Sequence, residues 1–240
     1  MQTYQATITE IIQETLLVKL LRLTFPEIKD FSFIPGQFVM IGHPELKSET
    51  GVHIERAFSL ASAPHQKEHL ELCVKIVEGG RFSSICKNFT VGENLSVKGP
   101  FGKFCLPQER KEQLIFLAAG TGIAPLMSML RHLANDKFTQ KTTLFFTFRE
   151  PADFIYRNEL EHFDKTYSQF TLVPTCTSQN TAGWEGLQGR FTLEHLKERI
   201  SEPASQKYYL CGNNDFVKSM KAILAELGVP REHIATEAWG

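Results

Sequence analysis

Residues 114–125, with the sequence LIFLAAGTGIAP, decide the fold of this chain of 240 residues. The first half of the segment, Leu114–Ala119, is a continuous apolar run, which is typical of a strand covered on both faces. Gly120-Thr121-Gly122 then permits a tight turn, and Pro125 suits the first turn of a helix because its missing N–H would have no partner there. A buried strand that turns directly into a helix predicts a parallel α/β sheet.

The sequence on the carboxyl side of this segment repeats the alternation. Apolar strands are predicted at 142–148, 170–175 and 207–211, and helices at 126–133, 156–163, 193–200 and 216–227, the last ending at Gly228 as a C-cap. Ligands of open parallel sheets bind beyond the carboxyl ends of the strands. We therefore expect Arg149, Thr175 and Cys211-Gly212 to face one crevice.

The sequence on the amino side has a different periodicity. Short strands are predicted at 3–12, 16–24, 37–42, 57–61, 70–77 and 94–98, separated by Pro-Gly, Gly-Gly and Gly-Glu-Asn turns. Six strands with short loops indicate an antiparallel β-barrel, with one short helix starting near Ser83 and Ser84. The two patterns meet at 106–111, which predicts a barrel domain at 1–107 and an α/β domain at 108–240.

Charge and hydropathy exclude several classes of protein. Lysine and arginine number 26 against 27 acidic residues, for a formal net charge of −1, so the chain lacks the basic field of a nucleic-acid-binding protein. Its longest apolar runs are far shorter than the roughly 20 residues that span a bilayer. The first residues lack the basic-then-apolar order of a signal peptide. No membrane span and a cytoplasmic location are expected.

The five cysteines are scattered and include no CxxC pair. An odd, scattered set suits neither a disulfide framework nor a zinc or iron–sulfur site, so we expect no bound metal and no fused plant-type [2Fe–2S] domain.

Three short segments could bind phosphate. One is Gly79-Gly80-Arg81-Phe82-Ser83, which could form an amide-lined helix start, with a helix start that binds no ligand as the alternative. The free amides at the start of the helix after Gly120-Thr121-Gly122 suit an anion, although Pro125 replaces the third glycine of the GxGxxG pattern, and a turn without a ligand is the alternative. In the strand RAFS, period-two alternation places Arg56 and Phe58 on one face and Ala57 and Ser59 on the other. Their alternative is a surface arginine beside a core phenylalanine.

Taken together and in order, eight segments resemble the ferredoxin–NADP reductase family of flavoproteins over nearly the whole chain. They are PGQF at 35–38, RAFSLASAP at 56–64, GGRFS at 79–83, GPFGKF at 99–104, GTGIAP at 120–125, WEGLQGR at 184–190, YYLCG at 208–212 and EAW at 237–239. The resemblance implies a flavin-binding barrel, a nicotinamide-nucleotide-binding domain, and hydride transfer in the crevice between them.

The resemblance also implies the residues that hold the flavin, expected to be FAD rather than FMN. Arg56 would pair with the flavin phosphates, Phe58 would pack on the isoalloxazine where the family usually has tyrosine, and Ser59 would lie near the reactive nitrogen. The flavin-binding set is Arg56, Ala57, Phe58, Ser59, Gly80, Phe82 and Ser83, with the last three at the start of the short helix.

For the nicotinamide nucleotide the resemblance implies a second set. Gly120, Thr121 and Gly122 would approach the pyrophosphate, and Cys211 and Gly212 would border the nicotinamide. Glu237 and Trp239 would close the opposite side of the flavin, and the catalytic set would be Ser59, Cys211 and Glu237.

The choice between NADH and NADPH is open, with NADH favoured. A 2′-phosphate is usually held by arginine, lysine or serine at the ends of the second and third strands. Arg149 and Arg157 follow the second strand, whereas 175–180 contains no basic residue, and Arg149 also fits the family members that use NADH. Tyr156 is either a contact of the ribose or adenine or a residue of the core.

The function implied is transfer of electrons from NADH or NADPH through bound FAD to a separate acceptor, such as a ferredoxin or an oxygenase component. One alternative is an NAD(P)H:flavin reductase, which binds its flavin as a substrate. Another is a non-catalytic cofactor-binding or electron-transfer subunit of a larger complex.

Overall fold

The computed structural model describes residues 2–108, 112–179 and 181–239. It divides into two compact units, one formed by Met1–Leu106 with Met127–His132 and the other by Pro107–Leu126 with Leu133–Gly240. Of the boundary predicted at 106–111, residues 109–111 lie outside the described ranges.

The first unit is built on one antiparallel sheet of six strands. Its strands are β1 (Thr3–Thr15), β2 (Val18–Thr24), β3 (Phe38–Lys47), β4 (His53–Ser59), β5 (Leu70–Lys75) and β6 (Asn94–Phe101), in the spatial order β4-β3-β6-β1-β2-β5. A bridge between Leu60 and Leu72 joins the two outer strands, so the sheet closes on itself. The predicted six-stranded antiparallel barrel is confirmed.

Alternate residues of these strands form the core of the barrel. Each of four strands contributes a fully buried pair two positions apart: Ala6 and Ile8, Leu21 and Leu23, Val39 and Ile41, and Leu95 and Val97. Because successive side chains of a strand point to opposite faces, this spacing turns one apolar face inward all round the barrel.

A buried carboxylate lies within the same unit. Glu71 on β5 is 1% exposed and accepts hydrogen bonds from Arg131 Nη1 at 2.7 Å and from Arg22 Nε at 3.1 Å. Burial alone would raise the pKa of Glu71, but the two guanidinium groups outweigh it and lower the pKa below its ordinary value. Arg131 also donates to the carbonyl oxygen of Ala61, so its side chain links the segment after β4 to the start of β5.

The short helix of the first unit, α1 (Arg81–Cys86), begins earlier than predicted. Its N-cap is Gly80 and no side chain caps it, so the prediction that the helix starts near Ser83 and Ser84 is wrong and neither serine acts as its cap. Ser83 Oγ instead accepts a hydrogen bond from the N–H of Val77 at 2.9 Å. The hydroxyl therefore fixes the loop between β5 and α1.

The second unit is a parallel sheet with helices, as predicted, and it has six strands where the sequence predicted four. Its elements are β7 (Leu114–Ala119), α2 (Ile123–Asn135), β8 (Thr142–Phe148), α3 (Arg157–Thr166), β9 (Phe170–Cys176), β10 (Leu187–Gln188), α4 (Leu193–Lys197), β11 (Lys207–Asn213), α5 (Asn214–Glu226) and β12 (Ile234–Trp239). The middle of α2, Met127–His132, is grouped with the first unit. The strand order is β10-β9-β8-β7-β11-β12, so β10 and β12, which sequence reasoning missed, are the two edges.

Helix α5 ends as its sequence indicates. Gly228 has φ of +74°, its N–H donates to the carbonyl oxygen of Ala225, and the N–H of Val229 donates to that of Leu224. This pair of hydrogen bonds satisfies the last carbonyls of a helix that ends in a left-handed residue. None of the helices in the part of the chain that the structure describes has the length and apolar character needed to cross a bilayer.

Candidate functional site

The turn after β7 combines one open glycine with one closely packed glycine. Gly120-Thr121-Gly122 forms a single turn of 3-10 helix that leads into α2. Gly120 has φ of +52°, a left-handed conformation, and a Cβ atom there would meet no other atom within 4 Å. Ligand atoms can therefore approach the main chain at Gly120, as a phosphate-binding turn requires.

Gly122 has the opposite environment. A Cβ atom on it would lie 2.2 Å from the carbonyl oxygen of Cys211, and one on Gly212 would lie 2.9 Å from Cβ of Ala119. Gly122 therefore lets the turn after β7 pack against the main chain of β11, and Gly212 leaves room for the side chains of Ala119 and Phe216. Of the three residues predicted to approach a pyrophosphate, the structure gives Gly122 a packing role.

A cavity of about 590 Å³ opens at the carboxyl edge of the parallel sheet. Its walls come from the ends of β7, β8 and β11, the segments after β9 and β10, and one face of α5. The lining residues are Ala119, Thr147, Phe148, Thr177, Gly189, Arg190, Phe191, Asn213, Asp215, Phe216, Ser219 and Met220. Polar and apolar side chains line the cavity in about equal number. This mixture suits a nucleotide, whose base is flat and apolar and whose ribose and phosphates need hydrogen bonds.

The strand ends converge as predicted, but the residues at the cavity differ from those expected: they lie further along the chain after β9 and β11, and at β8 Thr147 and Phe148 line the cavity in place of Arg149. Thr175 is buried and its hydroxyl donates to the carbonyl oxygen of Gly189 at 2.7 Å, so Thr177 faces the cavity in its place. Cys211 and Gly212 are buried, and Asn213 lines the cavity after them. The carbonyl oxygen of Arg149 accepts from the N–H of Ser178 at 2.8 Å, while its side chain is exposed.

Arg190 and Asp215 are the charged residues of the described lining, and sequence reasoning missed both as site residues. Arg190 ends the WEGLQGR segment, and Asp215 is in the first turn of α5. The signal that could have found Asp215 is its position two residues beyond β11, since that edge of a parallel sheet holds the ligand. Tyr156 is 4% exposed, which favours its core role over a contact with ribose or adenine.

Three further predicted residues come together at the ends of β11 and β12. These strands pair in parallel, with Cys211 opposite Glu237 and Asn213 opposite Trp239. Burial, and then the charge of Glu237, raise the pKa of the Cys211 thiol well above its ordinary value. Cys211 is therefore a neutral thiol at physiological pH.

In the first unit, the register of β3 and β4 confirms the predicted faces of the RAFS segment. Arg56 and Phe58 pair with the buried Ile41 and Val39, whereas Ala57 and Ser59 share the other face. Arg56 is exposed, so its guanidinium is available to an anion.

Ser59 lies beside an aromatic pair that the sequence did not assign to the site. Phe38 of β3 is opposite both Ser59 on β4 and Phe101 on β6, and the rings of Phe38 and Phe101 are 5.7 Å apart. These residues belong to the PGQF and GPFGKF segments. The three strands thus place a hydroxyl next to an apolar surface.

The predicted contacts at the start of α1 can come only from its main chain. The ring of Phe82 is 7% exposed and packs 4.7 Å from that of Phe58, and the Ser83 hydroxyl is engaged with the N–H of Val77. The amides of the first turn have no acceptor within a helix. They and the Arg56 guanidinium are the donor set that a diphosphate needs, so these residues fit a flavin nucleotide.

Family models match both units. Residues 5–105 match an oxidoreductase FAD-binding domain, and residues 116–222 match an oxidoreductase NAD-binding domain. Together the two matches cover most of the chain, in the order that the sequence predicts.

Curated relatives match across the two domains. The chain is 31% identical to ferredoxin–NADP reductase B of Sorangium cellulosum (strain So ce56), over 88% of this chain and 87% of that protein. It is 29% identical to the terephthalate 1,2-dioxygenase reductase component 1 of Comamonas sp, over 88% of this chain. That match spans 61% of the relative, so the chain corresponds to about three fifths of such reductase components.

A solved structure shares the whole fold. The flavohem-like FAD/NAD-binding domain of the nitric oxide dioxygenase from Vibrio cholerae O1 biovar El Tor superimposes with a TM-score of 0.86 at 21% identity. The superposition covers 99% of this chain and 98% of that one. At this identity the likeness establishes the fold.

Proposed function

The chain belongs to the ferredoxin–NADP reductase family, and we propose that it transfers electrons from NAD(P)H through bound FAD to a separate acceptor. The observation that carries the proposal is the cavity at the carboxyl edge of the parallel sheet, beside the open Gly120 turn, in a chain that also has an FAD-binding domain. We propose 1–107 as the FAD-binding domain and 108–240 as the NAD(P)-binding domain.

In the nucleotide site, the cavity would take the adenosine half and the Gly120 turn a phosphate. The amides of Thr121 and of the first turn of α2 would donate to phosphate oxygens, aided by the helix dipole. Arg190 would add a guanidinium at the same edge. These groups bind and orient the nucleotide without taking part in its chemistry.

In the flavin site, Arg56 and the first-turn amides of α1 would hold the phosphates, and Phe58 with Ser59 would contact the ring. Bound FAD supplies the chemistry, because it accepts a hydride and can release the electrons afterwards. Ser59 would place a hydroxyl hydrogen bond at the ring, beside the apolar surface of Phe38 and Phe101.

Cys211 would border the nicotinamide as a neutral thiol. Burial and the charge of Glu237 keep its proton in place. Because only the thiolate is a strong nucleophile, a neutral thiol does not add to the electrophilic ring of the oxidised nucleotide. The proposed roles of Cys211 and Glu237 are therefore to shape the site and to suppress a side reaction.

The acceptor is proposed to be a ferredoxin or an oxygenase component. The support is the names of the relatives, which include reductase components of a dioxygenase and of monooxygenases. A cytoplasmic location is also proposed, since none of the five cysteines forms a disulfide bond in the described structure, as is usual for cytosolic proteins.

The test is an anaerobic titration of the purified chain, reconstituted with FAD, with NADH and NADPH separately. We expect the visible absorbance of the oxidised flavin to bleach on reduction, and ferricyanide to restore it. Arg56→Ala should lose FAD on gel filtration. Arg199→Ala, which removes a surface guanidinium paired with Glu198, is the matched control and should retain it.

Two results would favour the alternatives. FAD that is lost from the wild-type chain on gel filtration, with NAD(P)H oxidation restored by added FAD, would indicate a flavin reductase. Retained FAD that neither nucleotide bleaches would contradict the enzymatic proposal and favour a non-catalytic subunit.

A further inference from the structure

The nucleotide cavity carries one positive and one negative side chain among its described lining residues. These are Arg190, after β10, and Asp215, in the first turn of α5. The remaining lining residues of the described chain are neutral. The formal charge of the described cavity wall is therefore zero, whereas a site for a 2′-phosphate normally presents an excess of positive charge.

Asp215 faces the cavity by its position on the helix. Asp215 and Ser219 both line the cavity and are four residues apart, so they lie on one face of α5. Asn213 precedes them, and its side chain caps the helix by accepting a hydrogen bond from the N–H of Phe216 at 2.8 Å. The cap stabilises the first turn of α5, which places Asp215 at the cavity wall.

The arginines that sequence reasoning considered for a 2′-phosphate do not offset this carboxylate. Neither Arg149 nor Arg157 is among the described residues that line the cavity. Arg157 Nε donates to Glu161 at 2.8 Å, and its guanidinium lies 5.8 Å from the ring centre of Phe154. Its charge is therefore already paired on α3.

We propose that Asp215 makes this cavity select NADH over NADPH. The inference rests on the proposed function, because it takes the cavity to hold the adenosine half of the nucleotide. A carboxylate accepts hydrogen bonds from the ribose hydroxyls of NADH and repels the 2′-phosphate of NADPH. Arg190 does not cancel this difference, since both nucleotides carry a diphosphate with which it can pair.

The expected discrimination follows from Coulomb's law. A carboxylate about 6 Å from a phosphate dianion, in a medium close to water, contributes about a tenfold difference in affinity. We expect the kcat/KM for NADH of the wild-type chain to exceed that for NADPH by at least about tenfold. Asp215→Asn should reduce the ratio about tenfold by improving the use of NADPH, and Asp215→Glu should keep the wild-type preference.

The test combines kinetics with a binding measurement that needs no turnover. The FAD-loaded chain is assayed with NADH and NADPH and ferricyanide as acceptor, and the Kd values of 5′-AMP and 2′,5′-ADP are measured by calorimetry. In Asp215→Asn, the preference in kcat/KM for NADH over NADPH and the preference in affinity for 5′-AMP over 2′,5′-ADP should both decrease. Glu226→Gln, an exposed carboxylate at the other end of α5, is the matched control and should leave both ratios unchanged.

Three results would overturn the inference. The wild-type chain could prefer NADPH or 2′,5′-ADP, or it could bind neither 5′-AMP nor 2′,5′-ADP. In the third result, Asp215→Asn would keep the wild-type preference for NADH over NADPH to within about twofold. Discrimination between the two probes without any NAD(P)H oxidation would support the inference and count against the proposed function alone.

Discussion

Gly122 packs against the main chain of Cys211 so closely that a Cβ atom on the glycine would lie 2.2 Å from the cysteine's carbonyl oxygen. Real Cβ atoms do not approach a main-chain atom to that distance, so the contact needs glycine at 122. The turn at Gly120-Thr121-Gly122, which is expected to bind phosphate, thus packs directly on β11. That strand carries Cys211, which is expected to border the nicotinamide.

We expect Gly122→Ala to destabilise the protein. The methyl group would have to push apart the ends of β7 and β11, and overpacking of this kind costs about 3 kcal/mol. Urea unfolding should show a lower midpoint with an unchanged slope.

Gly120→Ala is the matched change in the same turn. Its Cβ would meet no atom, so the cost is the left-handed conformation alone, about 1 kcal/mol. The variant should stay folded and bind NAD(P)H more weakly. Equal stability of the two alanine variants would contradict the packing role of Gly122.

Glu71→Gln should destabilise the first unit and change its response to acid. Removing the carboxylate leaves Arg22 and Arg131 without their shared partner, a loss of about 3 kcal/mol. The pKa of Glu71 is lowered in the folded chain, so its contribution to stability is complete above its ordinary pKa of 4.5 and is lost as pH falls through the lower folded value. The variant should therefore lose less stability than the wild type between about pH 5 and pH 3.

Thermal unfolding over this pH range is the measurement, and Glu10→Gln is its control. Glu10 also pairs with Arg22, but its side chain is 51% exposed, so its removal should cost less than about 1 kcal/mol. A similar loss of stability in Glu71→Gln and Glu10→Gln would show that burial of Glu71 does not strengthen its ion pairs.

Cys211 should resist alkylation in the folded chain. Its thiol is buried and its pKa is raised, so iodoacetamide at about pH 8.5, near the pKa of a free thiol, meets neither an accessible nor an ionised sulfur. Cys105 is partly exposed and should react first. Peptide mass spectrometry measures the labelling of Cys211 and of Cys105, in the folded chain and in the chain unfolded by guanidinium. Rapid labelling of Cys211 in the folded chain would contradict its neutral, buried state.

Trp239→Ala should raise the KM for the nicotinamide nucleotide about fivefold, the loss of roughly one aromatic contact. Trp239 is 39% exposed and lies opposite Asn213, a residue of the cavity wall. Val91→Ala removes another exposed apolar side chain, in the first unit, and should leave the KM unchanged. Unchanged kinetics in Trp239→Ala would count against a role at the site.

Continuous apolar runs made the central strands predictable. The bounds of β7 and β8 match their predictions because a strand buried on both faces is mostly apolar along its length, with only the small polar threonines as exceptions in β8. The edge strands β10 and β12 were not predicted, because they lack a continuous apolar run. All but the last two residues of β12 are half-buried, so its sequence, IATEAW, shows neither a continuous run nor a strict alternation.

The candidate site was predictable as a location and less so as a set of side chains. Parallel strands bring their carboxyl ends to one edge, so the crevice follows from topology alone. Which residue after each strand turns into the cavity depends on local hydrogen bonds, such as that of Thr175 to Gly189, which a sequence pattern does not contain. Arg190 and Asp215 are side chains of this kind, which line the cavity without a sequence pattern that marks them.

The position of β6 has a consequence for how the barrel forms. β6 lies between β3 and β1, and its pairing with β1 joins residues as far apart as Thr3 and Lys98. No hairpin can supply that contact, and the loop that it closes carries a large entropic cost before any strand pairing repays it. The first unit should therefore fold slowly for its size, in milliseconds to seconds, with the arrival of β6 as the late, cooperative step.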